Sequence, residues 1–468
     1  MKPYNNPPRI VIAAPYSGAG KTTLSIGIMA ALTKRGINVQ PFKVGPDYID
    51  PAFHTEVTKN KSINLDSWLF EKETILNLFG KYASRADISI IEGVMGLYDG
   101  VGIDPMVGSS AAMSNILKAP VILVMPARGM STTIAAIILG LKEFKNINIA
   151  GVILNQVSSI KYFELLKSAI ETHTGIPVVG RLPETDDITL KSRHLGLVQN
   201  CELLNKSNII DRLIELVEEY VDLDKIIELS NMAGELSYSA NVEGKLNEGS
   251  NERVVNIAIA YDEAFQFYYH ENLEILKGLG ASIKYFSPLN DKKLPEDISG
   301  IYIGGGYPEL YAKDLEENID LRNEIKKMSE LGMPIYGECG GYMYLNSKIK
   351  TLQNEEYNMV GVFNGDVLMT KGLQNFGYAE LTAVEDSCMF KVGDKIKSHE
   401  FHTSLVEQQG KKELVQAEKN ANGNQIIWYC GSKKNNTFGM YPHVHFLSNI
   451  KIAENFIEEC KKYKGLGD

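Results

Sequence analysis

The chain has 468 residues, 44% hydrophobic and 23% charged, and its Lys+Arg 48 against Asp+Glu 58 give a formal net charge of −10. That length is long for a single core, so two or three domains are expected. The acidic balance offers no global case for binding nucleic acid or a membrane surface, and is read as solubility.

Five cysteines (Cys201, Cys339, Cys388, Cys430 and Cys460) are odd in number, widely spread and without a CxxC pair. They suggest neither a zinc site nor a disulfide framework, and fit a reducing cytoplasm. Residues 1–9 lack the apolar core of a signal peptide. The apolar runs 121–125 and 135–139 are too short to span a bilayer, and read as a buried strand and a buried helix.

In chain order, 9–14 is a β-rich apolar run, a glycine-rich stretch follows, and 22–35 has helical spacing. Further strands are expected at 38–43, 88–91, 119–125 and 149–154, with helical stretches between most of them. Alternating strands and helices imply a parallel sheet with helices on both faces.

The stretch Ser17-Gly18-Ala19-Gly20-Lys21-Thr22-Thr23 falls between the first strand and first helix. Glycines there let backbone N–H groups turn toward phosphate, Lys21 would reach the outer phosphates, and the Thr22 hydroxyl would ligate Mg²⁺. The loop is a variant, because Pro15 stands where GxxxxGK[ST] begins with glycine. Two acidic segments end neighbouring strands, Lys43-Val44-Gly45-Pro46-Asp47-Tyr48-Ile49-Asp50-Pro51 and Ile90-Ile91-Glu92-Gly93. Carboxylates after apolar strands commonly bear on a phosphate-bound metal in such sheets.

From about 229 to 252 the apolar rhythm fades, and 241–253 is rich in Asn, Gly, Ser, Glu and Lys. The expected division is 1–228, a linker 229–253, and 254–468. A second alternation follows: strands at 254–260, 282–286 and 300–303, helices at 271–279 and 318–331, and a strand 334–337 running into Cys339. Beyond 361 the chain looks richer in strands and loops.

Gly337-Glu338-Cys339-Gly340-Gly341 has the layout of a nucleophile elbow, whose small neighbours permit the sharp turn that exposes the thiol. A thiolate attacking a carboxamide needs a base, for which His443 leads, and oxyanion donors, which Gly304-Gly305-Gly306 could supply. A second histidine cluster, His399-Glu400-Phe401-His402, lacks evident further ligands and reads as loop structure or a substrate contact. The aromatic run 262–269 reads first as core.

The blocks SGAGKTT, FKVGPDYIDPAFH, NLDSW, IEGVMGLYDG, GVILNQV, SRHLGLV, IAIAYDEAFQFYY, GGGYPELYA, YGECGGYMYL, SHEFHTS and YPHVHF make the chain resemble the cobyrinic acid a,c-diamide synthase family of glutamine-dependent amidotransferases over essentially its whole length. The resemblance implies an α/β protein: a P-loop, dethiobiotin-synthetase-like parallel-sheet domain with ATP-binding amidoligase activity, joined to a class I glutaminase-like α/β domain. It implies ATP and Mg²⁺, with a corrinoid or related tetrapyrrole and L-glutamine as partners, no nucleic acid, no membrane, a cytoplasmic location and, as an open point, a homodimer.

By position the resemblance makes Cys339 the nucleophile and His443 the base, with Gly305, Gly306, Gly340 and His445 in oxyanion or supporting places. It places Ser17, Gly18, Ala19, Gly20, Lys21, Thr22, Thr23 and Asn155 at ATP, with Asn155 near adenine. It assigns Lys43, Asp47, Tyr48, Ile49 and Asp50 to substrate or phosphate, and Thr22, Asp47 and Glu92 to the metal. Many class I glutaminases carry an orienting Glu two residues after the base, where this chain has His445, so the resemblance leaves a dyad open. Pro126-Ala127-Arg128 departs from the expected pattern and receives no role. The ring is also left open, since hydrogenobyrinic acid and Ni-sirohydrochlorin offer equivalent acetates. The rival of another class is a partition-type regulatory ATPase with an inert glutaminase-like module. Against it stand Tyr16, where those switches carry a lysine, and the intact cysteine elbow.

Overall fold

The computed structural model describes residues 6–185, 192–193, 196–197, 206–237, 254–408, 414–421 and 424–465. The chain forms two compact units, Met1–Val242 and Glu243–Asp468.

The first unit contains β1 (Arg9–Ala13), α1 (Lys21–Lys34), β2 (Val39–Val44), α2 (Ile49–Thr58), β3 (Ile63–Leu65), α3 (Lys72–Ala83), β4 (Ile88–Glu92), α4 (Ser110–Ile116), β5 (Val121–Pro126), α5 (Thr133–Phe144), β6 (Ile149–Val157), α6 (Ile160–Thr174) and β7 (Val178–Pro183). The short pair β8 (Ser192–Arg193) and β9 (Gly196–Leu197) follows, then α7 (Lys206–Tyr220) and α8 (Leu223–Asn231). Seven strands form one parallel sheet in the order β3-β2-β4-β1-β5-β6-β7. Chain order reverses at β1, and the crevice beyond the C-terminal end of that strand is where ligands bind in doubly wound sheets. Strands β1, β2, β4 and β5 are buried along their whole length, which suits their largely apolar sequences and places Lys43 and Glu92, at the ends of β2 and β4, inside the site.

Two expectations need correction. The run 135–139 belongs to α5, which buries only Ile134, Ala135 and Ile138 and leaves Ile137 exposed, so this is an amphipathic helix rather than a buried one. The expected linker start at 229 falls inside α8, where Leu229 is buried in the first unit's core. Gly234 and Glu235 still bond to Lys118, so packed chain continues at least that far. Most of the expected linker, 238–253, lies outside the described residues.

The second unit begins with β10 (Val255–Ala260), β11 (Phe265–Phe267), α9 (His270–Gly278), β12 (Ala281–Phe286), β13 (Gly300–Ile303), β14 (Gly305–Gly306), α10 (Ala312–Glu317), α11 (Ile319–Glu330), β15 (Ile335–Glu338) and α12 (Gly340–Leu345). It continues with β16 (Lys348–Lys350), β17 (Glu356–Asn358), β18 (Gly365–Ala383), β19 (Lys395–Gln408), β20 (Val415–Ala421), β21 (Asn424–Cys430), β22 (Ser432–Lys434), β23 (Thr437–Met440), β24 (His443–Val444) and α13 (Lys451–Tyr463). A six-stranded sheet runs β12-β10-β13-β15-β23-β22, parallel except for the β22–β23 edge pair. A second, largely antiparallel sheet runs β17-β16-β18-β19-β24, with β20 and β21 added off β18, and its strands from β18 onward are the strand-rich tail expected beyond 361. The aromatic run is core in part: Phe265 and Tyr269 are buried, and the Tyr268 hydroxyl donates to the Ala260 carbonyl while accepting from the Gly304 N–H. Among the described residues, no helix is long and apolar enough to cross a membrane.

Candidate active sites

In the first unit the loop after β1 turns through Gly18 (φ 83°) and Gly20 (φ 97°), left-handed conformations that glycine adopts at no steric cost. Ser17 and Gly18 are exposed at the tip, Ala19 is buried, and Lys21, Thr22 and Thr23 open α1. The Asn155 side chain donates to the Ala19 carbonyl at 2.9 Å, and a Cβ on Gly20 would stand 2.1 Å from its Nδ2. Asn155 therefore braces the loop from β6, a contact distinct from the expected adenine role.

Lys21 is buried and donates to the Met95 carbonyl. Burial and then the Lys43 charge lower its pKa to about 8, against the pull of Glu92, Asp50 and Asp99. Nucleotide phosphates would restore the missing counter-charge.

Thr22, Lys43, Asp50 and Glu92 converge beside the loop. The Thr22 hydroxyl donates to Glu92 Oε1 at 2.6 Å and lies 3.4 Å from Asp50 Oδ2. Lys43 Nζ bridges Asp50 Oδ2 (2.5 Å) and Glu92 Oε1 (3.0 Å), with all three side chains buried. Burial alone would raise Glu92, but Lys43, His54 and Thr22 hold its carboxyl well below the usual range. Burial and the neighbouring Asp47 and Glu92 charges push Asp50 upward despite Lys43. Lys43 is raised because Asp50, Glu92 and Asp47 outweigh its desolvation.

Asp47 is placed differently from the expected metal ligand. Its Oδ1 accepts the N–H groups of Ile49 (2.8 Å) and Asp50 (3.1 Å), so it caps the start of α2, and Asp50 is the carboxylate brought to Thr22. Tyr48 and Ile49 are half-buried at the same helix start. A hydroxyl with two carboxylates suits a hard, oxygen-seeking cation such as Mg²⁺. No cluster of three or more His, Cys, Asp or Glu able to hold a metal occurs among the described residues, so such an ion would draw on phosphate oxygens and water for the rest of its shell. His54 was not singled out from the sequence. One helical turn beyond Asp50, it reaches Glu92 Oε2 at 2.6 Å and Ser62 Oγ at 3.3 Å. Its i, i+4 spacing from Asp50 was the available signal.

In the second unit, Cys339 directly follows β15 with φ 49° and ψ −102°, a sharp turn immediately before α12. Glycines make it feasible. A Cβ on Gly341 would lie 2.0 Å from the Ile303 carbonyl oxygen, and one on Gly337 would lie 2.6 Å from Leu345 Cδ1. Cys339 N–H donates to the Met440 carbonyl (2.9 Å), and Gly341 N–H to that of Gly304 (2.9 Å), tying the elbow to both flanking segments. Gly306 N lies 2.9 Å from where a Gly340 Cβ would stand, so these two glycines, both expected at the oxyanion, pack against each other next to the elbow.

His443 is buried, hydrogen-bonded to Cys339, and sits against Gly305, where a Cβ would come within 2.6 Å of its Cε1. Its Nδ1 bonds Glu338 Oε1 at 2.9 Å. Burial opposes the imidazolium, but the Cys339 charge, the bond to Cys339 and then Glu338 raise His443 to about 10. A carboxylate thus does reach the base, from the residue next to the cysteine in sequence.

His445 plays another part. Its Nδ1 accepts the Leu447 N–H at 3.3 Å, its ring packs 4.6 Å from Tyr269, and burial lowers its pKa to about 3. In the second histidine cluster, His402 bonds Glu400 (2.8 Å) and the Ser404 carbonyl (2.9 Å), and stacks on Tyr441 at 3.8 Å. The cluster lies on β19 rather than in a loop, with Glu400 and His402 buried, His399 and Phe401 half-buried, and His399 the register partner of His443.

Two family models divide the chain along the same line: a CobQ/CobB/MinD/ParA nucleotide binding domain over residues 10–198, and a CobB/CobQ-like glutamine amidotransferase domain over residues 256–450. Fold and site together define a glutamine amidotransferase joined to a nucleotide-binding α/β domain. Three proteins named cobyrinate a,c-diamide synthase are similar along nearly their whole length. That of Caldanaerobacter subterraneus subsp. tengcongensis is 44% identical over 97% of this chain and 98% of its own. That of Listeria innocua is 45% identical over 95% and 97%, and that of Picrophilus torridus 44% over 96% and 98%. The chain belongs to the cobyrinate a,c-diamide synthase family.

Proposed function

We propose that this protein amidates the a- and c-acetate carboxylates of cobyrinic acid, using ATP to activate each carboxylate and glutamine as the nitrogen source. The observation that carries the reading is one chain holding both a thiol hydrogen-bonded to a buried imidazole and a phosphate loop flanked by Thr22, Asp50 and Glu92.

At the glutaminase site, Cys339 Sγ attacks the side-chain carboxamide carbon of glutamine. The backbone amides of Gly306 and Gly340 face the oxygen that gains charge. The His443 imidazolium gives its proton to the departing nitrogen, the C–N bond breaks, and ammonia leaves a thioester. Water, losing a proton to His443, hydrolyses the thioester to glutamate and the free thiol.

At the synthetase site a substrate carboxylate oxygen attacks the γ-phosphorus of ATP and ADP departs, giving an acyl phosphate. Ammonia attacks that carbonyl and phosphate leaves, which makes the amide. A bare carboxylate is a poor electrophile, and phosphorylation supplies its leaving group. Lys21 offsets charge on the outer phosphates, the loop N–H groups hold them, and Asn155 fixes the loop's shape. Thr22, Asp50 and Glu92 would hold Mg²⁺, which would supply charge neutralisation on the phosphate oxygens when bound. Lys43, Tyr48 and Ile49 line the approach of the carboxylate.

The test supplies cobyrinic acid, hydrogenobyrinic acid and Ni-sirohydrochlorin separately with ATP, Mg²⁺ and glutamine. The expected product is cobyrinic acid carrying two amides, read by mass. Amidation of Ni-sirohydrochlorin alone would overturn the ring assignment, and ATP turnover with no amide on any ring would overturn the reading. Cys339→Ala is expected to abolish glutamine-driven synthesis and retain synthesis from free ammonia.

A further inference from the structure

We propose that Glu338 is the positioning carboxylate of the glutaminase site, supplying from the nucleophile's own strand what residue 445 does not supply. The inference rests on the glutaminase reading above and deepens it.

Glu338 is the last residue of β15, a central strand of the six-stranded sheet, and is 1% exposed. Both carboxylate oxygens are engaged. Oε1 accepts from His443 Nδ1 at 2.9 Å, while Oε2 accepts the Tyr336 hydroxyl at 2.9 Å and the Val444 N–H at 3.3 Å. A carboxylate held from three directions fixes the ring that it faces. With the Nδ1 proton committed to Glu338, Nε2 is the nitrogen left for the thiol, the tautomer a base in this position requires.

The turn at Cys339 makes the arrangement possible. In a straight strand neighbouring side chains point to opposite faces. The positive φ of 49° at Cys339 breaks that alternation, so Glu338 and Cys339 both reach His443. Across the site, His445 is buried, accepts a backbone N–H and stays neutral, so it brings no negative charge.

The titratable groups facing His443 are Cys339 and Glu338 beside the elbow and His399, its register partner on β19. Tyr268, Tyr302 and Tyr336 surround Glu338 and are all pushed up in pKa by burial and then its charge, among other causes, so they stay protonated donors.

The experiment compares wild type, Cys339→Ala, Glu338→Gln and Tyr336→Phe for glutamine hydrolysis across pH and for synthesis from ammonia. Glu338→Gln is expected to lower kcat for glutamine about 100-fold. KM should stay within about threefold, and the alkaline limb should move to lower pH as the imidazolium loses its counter-charge. Synthesis from ammonia should match wild type. A Glu338→Gln enzyme with wild-type kcat and pH profile overturns the proposal while leaving Cys339-dependent hydrolysis intact. Wild type without Cys339-dependent hydrolysis sinks the underlying reading instead. If Glu338→Gln also loses ammonia-driven synthesis, Tyr336→Phe decides. A fall of about tenfold in glutamine kcat, with ammonia-driven synthesis intact, supports the proposal, and an unchanged kcat overturns it.

Discussion

Gly305→Ala is a sharp test of the glutaminase geometry. Gly305 does not have a positive φ, so alanine brings no backbone strain of its own. The cost is local: the new Cβ would stand 2.6 Å from His443 Cε1 and 3.2 Å from Phe267 Cβ. Carbon atoms settle at about 3.5–4.0 Å, so the imidazole must retreat by about 1 Å. It would retreat from a thiol and a carboxylate that hold it by hydrogen bonds. Misplacing a reacting group by 1 Å costs about 100-fold in rate. Glutamine hydrolysis, followed as glutamate release, should fall by that factor, while synthesis from ammonium chloride at alkaline pH should be unchanged. Wild-type hydrolysis in this variant would refute the placement of His443 against Gly305. Equal loss of both activities would show that the change disturbs more than the imidazole.

Lys21→Ala should lose ATP-dependent synthesis by at least about 100-fold through lost phosphate stabilisation, with glutamine hydrolysis retained, checked by parallel ADP and glutamate assays. The pH behaviour has a definite sign. His443 is raised from its ordinary 6.5 to about 10, so the imidazolium contributes stability in full below about pH 6.5. That contribution fades as pH rises toward 10, and melting curves should show it as falling stability with an alkaline limb in hydrolysis. Cys339→Ala removes the largest influence that raises His443 and leaves Glu338 alone against burial, so the variant's pH-dependent stability loss should be smaller and complete at lower pH.

Much of this was legible in the sequence because glycine spacing and strand–loop–helix order report backbone geometry directly. The phosphate loop and the cysteine elbow are both such cases, and the strands expected in the two alternating stretches fell within three residues of observed ones, although β3, β7, β11 and β14 were not among them. What escaped depended on side-chain direction. Glu338 was hidden because adjacency in a strand normally means opposite faces, and only the positive φ at Cys339 cancels that rule. Asp47 and Asp50 lie three residues apart around a helix start, and the choice between cap and phosphate site follows from where α2 begins. His54 looked like an ordinary helix residue until the fold set it beside Glu92. The α5 run read as fully buried because short apolar runs carry too little periodicity to distinguish one buried stripe from immersion.

The thiol and its base belong to different sheets. Cys339 follows a strand of the six-stranded sheet, whereas His443 starts a two-residue strand attached to β19 by only two register pairs. Two residues of linking chain, 441 and 442, and the carboxylate of Glu338 bridge the gap. Hydrolysis should therefore act as an early-warning gauge of cohesion between the two layers. Gentle urea is expected to silence it while far-UV ellipticity is still native, because a slip too small to melt either layer already parts sulfur from nitrogen.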